Sequence, residues 1–252
     1  MVLLRGKRIS KSFGGLQALK GVDFLLQEGE GLALIGPNGS GKTTLFNVIS
    51  GLLLPTSGNI WFRGEEITGE SPHRICRRGI GRTFQWPGPF PEMSLLENVL
   101  VGVLFGRKGR PPVKGAEEEA FRLLEFVGMA GEAERPAKAL SLGQRKRLEL
   151  AMALSTAPKV LLLDEPLSGL SPPAAGEIVS LLKGLQREGI SLFLIEPSIT
   201  AVSALADRAM VLHQGEVIAE GRPEAVLQDP LVVEAYLGKR ENRSEDGIPT
   251  TR

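Results

Sequence analysis

The sequence predicts an α/β fold: a mainly parallel sheet covered by helices on both faces, with an N-terminal antiparallel β layer and an inserted helical subdomain. Three observations carry that prediction. An apolar run at 31–35 leads through a glycine-rich loop directly into a helical run at 44–49. From residue 159 onwards, short apolar strands alternate with amphipathic helices, the pattern of a parallel sheet buried on both faces. Between these regions lie two helical stretches with recognisable start signals, near residues 94 and 116.

Residues 2–10 and 20–27 read as strands joined by a turn at 11–16, and Gln27-Glu28-Gly29-Glu30 turns the chain into the strand at 31–35. Leu54-Pro55-Thr56-Ser57-Gly58 breaks the chain after the first helix, and 59–64 reads as a strand entering a hairpin. Ser71-Pro72 opens a short basic helix at 73–78, with serine as N-cap and proline at the first helical position. A strand at 79–85 follows. Trp86-Pro87-Gly88-Pro89-Phe90-Pro91 then excludes regular structure, because three prolines remove donors and fix φ. Its aromatics suit either a loop pinned by its own side chains or a surface that docks a partner.

Ser94-Leu95-Leu96-Glu97 is a capping box for a helix reaching about residue 105. Residues 107–115 read as a basic, solvated linker. A second helix is expected at 116–128, with Glu117, Glu118 and Glu119 in its first turn, where the helix dipole favours acids. These helices would form the inserted subdomain, about 90–155, of one domain spanning 1–238. In the C-terminal part, strands at 160–163, 191–195 and 209–212 alternate with helices at 173–187 and 198–205. His213-Gln214-Gly215-Glu216 is a hairpin turn into a strand ending near 219, and short helices at 224–227 and 231–237 finish the fold. The polar tail at 239–252 reads as disordered.

The glycine-rich loop is Gly36-Pro37-Asn38-Gly39-Ser40-Gly41-Lys42-Thr43-Thr44, which fits the phosphate-binding pattern G-x-x-x-x-G-K-[ST]. Glycines let successive N–H groups converge on one anion with no Cβ in the way. Lys42 reaches the outer phosphates as a point charge, and the Thr43 hydroxyl is a ligand for Mg²⁺. The strand before the loop and the helix after it supply the context that the motif requires, with the helix N-terminus facing the phosphates. A P-loop NTPase core is therefore expected, rather than a glycine-rich turn. The apolar strand Lys159-Val160-Leu161-Leu162-Leu163-Asp164-Glu165 ends in two carboxylates. Beside a P-loop, Asp164 is placed to hold Mg²⁺ through water, and Glu165 to polarise an attacking water.

Composition narrows the remaining classes. The chain has 252 residues, 42% hydrophobic and 23% charged, as in an ordinary soluble globular protein. Its net charge of +1 gives no electrostatic reason to expect nucleic acid as a partner. No apolar run approaches the ~18 residues needed to span a bilayer. The short N-terminal apolar stretch, with its charges behind it, does not read as a signal peptide. The single cysteine, Cys76, excludes an intrachain disulfide and fits a reducing cytoplasm.

Leu140-Ser141-Leu142-Gly143-Gln144 precedes a helix bearing Arg145, Lys146 and Arg147. It resembles the L-S-G-G-Q signature of the ATP-binding cassette (ABC) family. It stands in the order and at the interval from the Asp164-Glu165 strand that this family uses. Together with the P-loop, Gln85 and Ser168-Gly169-Leu170, the resemblance covers residues 2–238. It implies that Phe13 stacks on adenine, that Gly36 to Thr44 wrap the phosphates of ATP, and that Gln85 touches Mg²⁺ and the water while sensing a membrane subunit. It further implies that Ser141, Leu142, Gly143 and Gln144 face the γ-phosphate bound by an opposite subunit. Ser168, Gly169 and Leu170 would be the D-loop that crosses the dimer interface. Two ATP molecules would be sandwiched between two ATPase subunits, so a lone chain should hydrolyse poorly.

Arg82-Thr83-Phe84-Gln85, Leu96-Glu97-Asn98-Val99-Leu100-Val101-Gly102, Ile218-Ala219-Glu220-Gly221-Arg222-Pro223 and Glu234-Ala235-Tyr236-Leu237-Gly238 are similar to importer ATPases for branched-chain amino acids, specifically the larger ATPase subunit. That resemblance implies a second ATPase subunit, two transmembrane permease subunits, an extracytoplasmic solute receptor upstream, and a place on the cytoplasmic face of the membrane. Urea or amide importers and the lipopolysaccharide-export ATPases stand close to the same branch. A non-transport ABC ATPase usually carries coiled-coil insertions or two cassettes in one chain, and this sequence has neither. A P-loop kinase or GTPase lacks the element at 140–144.

Three positions depart from the family pattern. Leu142 replaces the first signature glycine, and Met152 stands where relatives often carry arginine. Most consequential is Pro197. After Ser191-Leu192-Phe193-Leu194-Ile195-Glu196 a histidine is expected as the switch residue at the γ-phosphate, followed by aspartate; the chain has Pro197 and Ser198. Proline has neither a side-chain donor nor an N–H, and cannot do a histidine's work. The two histidines, His73 and His213, lie in other segments. This P-loop is thus expected to bind ATP and to hydrolyse it slowly. The rival expectation is that Glu165 alone sustains turnover.

Overall fold

The computed structural model describes residues 1–83, 88–107, 109 and 112–237. Two sheets organise it. The first is antiparallel, in the order β2-β1-β4-β5, from β1 (Val2–Phe13), β2 (Leu16–Gln27), β4 (Ser57–Phe62) and β5 (Glu65–Glu66). The segment expected as a turn at 11–16 is mostly strand: β1 and β2 run to a tight hairpin at Gly14-Gly15, with Phe13 paired to Leu16. The second sheet has the order β10-β9-β3-β8-β7-β6. It contains β3 (Gly31–Ile35), β6 (Ile80–Arg82), β7 (Val160–Asp164), β8 (Ser191–Ile195), β9 (Arg208–His213) and β10 (Glu216–Gly221). All its neighbours pair in parallel except β9 with β10.

Every residue of β3, β7 and β8 is buried, as a sheet covered on both faces requires. Side-chain alternation splits these strands between two cores. On β8, Leu192 and Leu194 join the core under the helices, while Phe193 and Ile195 face the antiparallel layer. The Phe193 ring lies 5.5 Å from Phe24 of β2 and 5.1 Å from Phe46 on the helix after β3. One ring therefore ties the two sheets and that helix together. Phe193→Ala should cost about 3–5 kcal/mol of stability, read as a lowered denaturant midpoint at unchanged slope.

The helices are α1 (Lys42–Ile49), α2 (Pro72–Arg78), α3 (Leu95–Phe105), α4 (Val113–Phe126), α5 (Leu142–Leu154), α6 (Pro172–Arg187), α7 (Ile199–Leu205), α8 (Pro223–Leu227) and α9 (Pro230–Leu237). Helices α3, α4 and α5 lie between β6 and β7 in the chain. Ser94 caps α3 through the expected reciprocal pair with Glu97. One expected cap is present without its side-chain bond, and one helix start needs correction. Ser71 is the N-cap of α2 but makes no side-chain cap bond; its hydroxyl lies 3.4 Å from His73 Nε2 instead. Helix α4 starts at Val113, inside the stretch read as linker, because Pro112 at φ −53° already sets the entry geometry. No acid then falls in the first turn of α4. Glu119, further along α4, accepts both guanidinium arms of Arg107, and that pair holds its carboxyl below the usual range. The tail expectation at 239–252 lies outside the described residues. No helix among the described residues is long and apolar enough to cross a membrane.

The sheet order fixes where chemistry can occur. Strands β3, β8 and β7 are neighbours and parallel, so their C-terminal ends share one edge. That edge carries the glycine-rich loop after β3, Asp164-Glu165 at the end of β7, and Glu196-Pro197 after β8. Ligands of open α/β sheets bind at such an edge.

Candidate functional site

The loop between β3 and α1 is shaped by close packing as much as by glycine freedom. Gly36 has φ 144°, and a Cβ there would lie 2.0 Å from the Leu212 carbonyl oxygen. Gly41 has φ 107°, and a Cβ there would lie 2.5 Å from the Ala18 carbonyl oxygen. Neither position tolerates a side chain. Strand β9 and its hairpin turn therefore form one wall of the loop, and the Gly215 N–H donates to the Ser40 carbonyl at 3.0 Å. At the opening, Asn38, Gly39 and Thr43 are exposed, while Pro37 and Thr44 are half-buried.

Lys42 Nζ donates to the carbonyls of Gly36 and Pro37, each at 2.8 Å, which bends its stem back over the loop. Burial pushes the Lys42 ammonium below its ordinary range, opposed by the charges of Glu165 and then Asp164. The first turn of α1 has no side-chain cap, so its N–H groups are those a bound anion would satisfy. The Ser40 hydroxyl is buried with no hydrogen-bond partner among the described residues. An uncapped helix start, a glycine cradle and an inward cation fit a polyphosphate.

Asp164 closes β7 and is 5% exposed at its side chain. Its partner is Arg82, at the end of the neighbouring strand β6, 3.3 Å away. An ion pair ordinarily lowers the acid and raises the base. Here burial pushes Asp164 up and Arg82 down, overriding their mutual attraction. The desolvation of both groups outweighs one long contact. Among the described residues no three His, Cys, Asp or Glu side chains cluster as metal ligands. One carboxylate and one hydroxyl fit Mg²⁺, which keeps its waters and is held largely by phosphate oxygens. Asp164 and Thr43 are the groups available for that.

Glu165 follows with φ 48°, left-handed backbone that a non-glycine residue adopts only when held there. Its N–H donates to the Ile195 carbonyl at 2.9 Å, which supplies the restraint. The carboxylate therefore leaves the strand at the shared edge, in electrostatic reach of Lys42. Gln85, the other expected catalytic and Mg²⁺-contacting residue, lies outside the described residues.

Next along the edge, Pro197 is exposed and precedes α7, whose N-cap is Ser198. The Ser198 hydroxyl accepts from the Ala201 N–H at 3.4 Å, so serine caps α7 at the position where the family pattern has aspartate. Glu196 is only 2% exposed and accepts from the N–H groups of Ser198 and Leu167, at 3.3 and 3.4 Å. Burial pushes its carboxyl up against those two bonds. Glu196 thereby fixes the Pro197 segment to the chain that leaves β7. His73 on α2 and His213 at the end of β9 do not enter that segment.

Ser141 is exposed and caps α5 in a reciprocal pair with Gln144. Gln144 Nε2 also donates to Glu132 Oε1 at 3.0 Å. The S-x-x-Q spacing of Ser141 and Gln144 is the sequence signal for this cap. Leu142 is exposed, and one of its methyls lies 3.0 Å from where a Cβ on Gly169 would stand. The 141–144 and 168–170 segments are therefore neighbours within one chain, and both present exposed residues: Ser141, Leu142, Ser168 and Gly169. Gly143 and Leu170 are half-buried beside them. Phe13 stands at the tip of the first hairpin, 46% exposed, with Lys11 Nζ 5.1 Å from its ring centre. It is not core, and an aromatic face is free for stacking.

Two contacts had no sequence signal beyond residue type. Tyr236 on α9 reaches back to the loop; burial pushes its phenol up, against a hydrogen bond from the Gly36 backbone. Separately, a cavity of about 380 Å³ opens between α2, β6 and α5, lined by Leu52, Ile75, Cys76, Thr83 and Met152 among others. Met152 is thus part of an apolar wall. Burial pushes the Cys76 thiol up, and its Sγ lies 3.3 Å from the Gly106 carbonyl.

Comparison with known proteins agrees with this geometry. A family model described as "ABC transporter" matches residues 19–168, and one described as "Branched-chain amino acid ATP-binding cassette transporter" matches residues 216–242. The chain is 40% identical to a Methanocaldococcus jannaschii protein named "Probable branched-chain amino acid transport ATP-binding protein LivG", over 95% of this chain and 98% of that one. A crystal structure of an ATP-binding cassette of an ABC transporter, in its ADP conformation, superposes with a TM-score of 0.87 at 40% identity, covering 95% of this chain and all of the other. A second cassette, solved as a dimer in a post-hydrolysis state with ADP and phosphate, superposes at 0.79 with 27% identity, covering 88% and 99%.

Proposed function

The chain belongs to the ABC transporter family of ATP-binding cassettes, and from that premise we propose that it is the energy-coupling ATPase subunit of an importer for branched-chain or related amino acids. The observation that carries the substrate class is the match at 216–242 to the branched-chain amino acid cassette model, added to the ABC match over 19–168. The relatives' names support the same class.

In this reading ATP lies on the loop Gly36 to Thr44, with Phe13 against adenine and Lys42 on the outer phosphates. Thr43, Asp164 and Gln85 are the residues that would hold Mg²⁺, which would supply charge neutralisation at the phosphates. Glu165 orients and polarises the attacking water. The exposed Ser141 and the 168–170 segment face a second ATPase subunit, so that each ATP is closed between two chains. The dimeric relative supports that arrangement. Two transmembrane permeases are the mechanical load, fed by an extracytoplasmic receptor, with this chain peripheral at the cytoplasmic face. The apolar cavity between α2, β6 and α5 is lined in part by Thr83, two residues before Gln85 in the chain, and is the surface this reading offers to a permease helix.

Pro197 gives this subunit a particular role. Its P-loop binds MgATP, but the donor expected at the γ-phosphate is missing from the segment after β8. The faster site is then the one built from the partner's P-loop and this chain's Ser141. The assignment is tested by expressing the chain with its two permeases, companion ATPase and solute receptor and measuring ATP-driven uptake of labelled leucine into vesicles. Uptake that saturates with leucine and is not competed by urea is expected. Co-purification with permeases that carry urea but not leucine would replace the substrate class while leaving the ATPase role intact.

A further inference from the structure

Arg82 is a buried cation on a strand otherwise made of Ile80 and Gly81. Its side chain is 7% exposed, beside an Asp164 side chain at 5%. One terminal nitrogen lies 3.3 Å from Asp164 Oδ2. The other donates at 2.8 Å to both Asn47 Oδ1 and Ser50 Oγ, at the C-terminal end of the helix that begins with Lys42 and Thr43. The guanidinium also lies 5.8 Å from the centre of the Phe46 ring, on the same helix. One side chain thus joins the strand before Gln85, the carboxylate at the end of β7, and the helix that carries the phosphate loop. A fork-shaped, permanently charged group suits this three-way contact, and lysine offers only a single point of charge.

We infer that Arg82 is a positioning residue whose fixed charge competes with Mg²⁺ for Asp164 and sets how much Mg²⁺ the nucleotide site requires. The inference rests on the proposed reading of Asp164 as a Mg²⁺ ligand. A carboxylate already facing one cation offers less free energy to a second, and like charges a few ångströms apart in a buried setting repel. The tether to Asn47 and Ser50 keeps the guanidinium from moving aside when the metal arrives. Arg82 therefore weakens Mg²⁺ binding while holding Asp164 in place in the absence of nucleotide.

The test is a Mg²⁺ titration of fluorescent ATP-analogue binding to the purified full chain. It compares wild type with Arg82→Gln, which removes the charge, and Arg82→Lys, which keeps it. Asp164→Asn is run alongside. Arg82→Gln should lower the Mg²⁺ half-saturation at least threefold, and Arg82→Lys, which keeps the charge but not the forked tether, should lower it by less than Arg82→Gln does. The melting temperature without nucleotide should fall in Arg82→Gln, since Asp164 then loses its cation. An Arg82→Gln midpoint unchanged or raised, with Asp164→Asn raising it, overturns the role of Arg82. Should Arg82→Gln not fold, an Arg82→Lys midpoint equal to or above wild type overturns it. An Asp164→Asn midpoint equal to wild type refutes instead the reading of Asp164 as a metal ligand.

Discussion

Lys42→Ala should lower ATP affinity by roughly a hundredfold, about 3 kcal/mol for a charge-assisted contact to phosphate, while leaving the fold intact. The Lys42 ammonium is held by the Gly36 and Pro37 carbonyls, which turn it over the loop rather than into the core. Burial pushes its ammonium below the ordinary range, and the charges of Glu165 and then Asp164 oppose that shift. Removing it leaves the helix N-terminus and glycine cradle in place, so some anion binding should persist. Fluorescent-nucleotide titration measures the loss. A melting temperature close to wild type without nucleotide separates lost binding from lost structure. If affinity falls less than fivefold, the loop is not the principal phosphate site.

Pro197→His should raise the ATPase rate of the assembled transporter by roughly tenfold or more, since one donor aimed at developing transition-state charge is worth about 10²–10³ in rate in comparable sites. The segment is prepared to accept it. Pro197 is exposed, so the imidazole meets no packed core. Glu196 clamps the backbone on both sides of the turn through Ser198 and Leu167, and Ser198 already caps α7. The substitution therefore restores both a side-chain donor and an N–H without rebuilding the loop. ATP affinity should change little, because phosphate binding rests on the loop and Lys42. An unchanged rate would favour the rival view that Glu165 alone is sufficient.

The phosphate loop was legible because each of its requirements falls on a residue type: glycine where a Cβ would strike Leu212 or Ala18, lysine at the loop's end, threonine at the helix start. The sheet core was equally legible, since β3, β7 and β8 are apolar throughout and buried throughout. In the sequence, Arg82 stands out only as part of the Arg82-Thr83-Phe84-Gln85 resemblance. Its meaning depends on Asp164, which is distant in sequence and becomes its neighbour only through the β6–β7 pairing. The start of α4 was misplaced because Pro and Gly composition around 107–115 reads as a linker, whereas Pro112 opens the helix. Nothing in the pentapeptide at 140–144 shows that Leu142 rests on Gly169. The same contact explains how a bulky residue fits there: Gly169 has φ 76° and no side chain to meet it.

Separation of binding from hydrolysis at this P-loop is the central claim, and chain-specific photolabelling tests it most directly. An azido-ATP analogue labelled at either the α- or the γ-phosphate is bound by the assembled transporter, allowed to turn over, and crosslinked through its base. This chain is then resolved from its companion ATPase. On the wild-type chain the γ-label should persist nearly as long as the α-label, while in Pro197→His it should disappear and leave α-label as ADP. Loss of γ-label from the wild-type chain as fast as from Pro197→His would contradict the account.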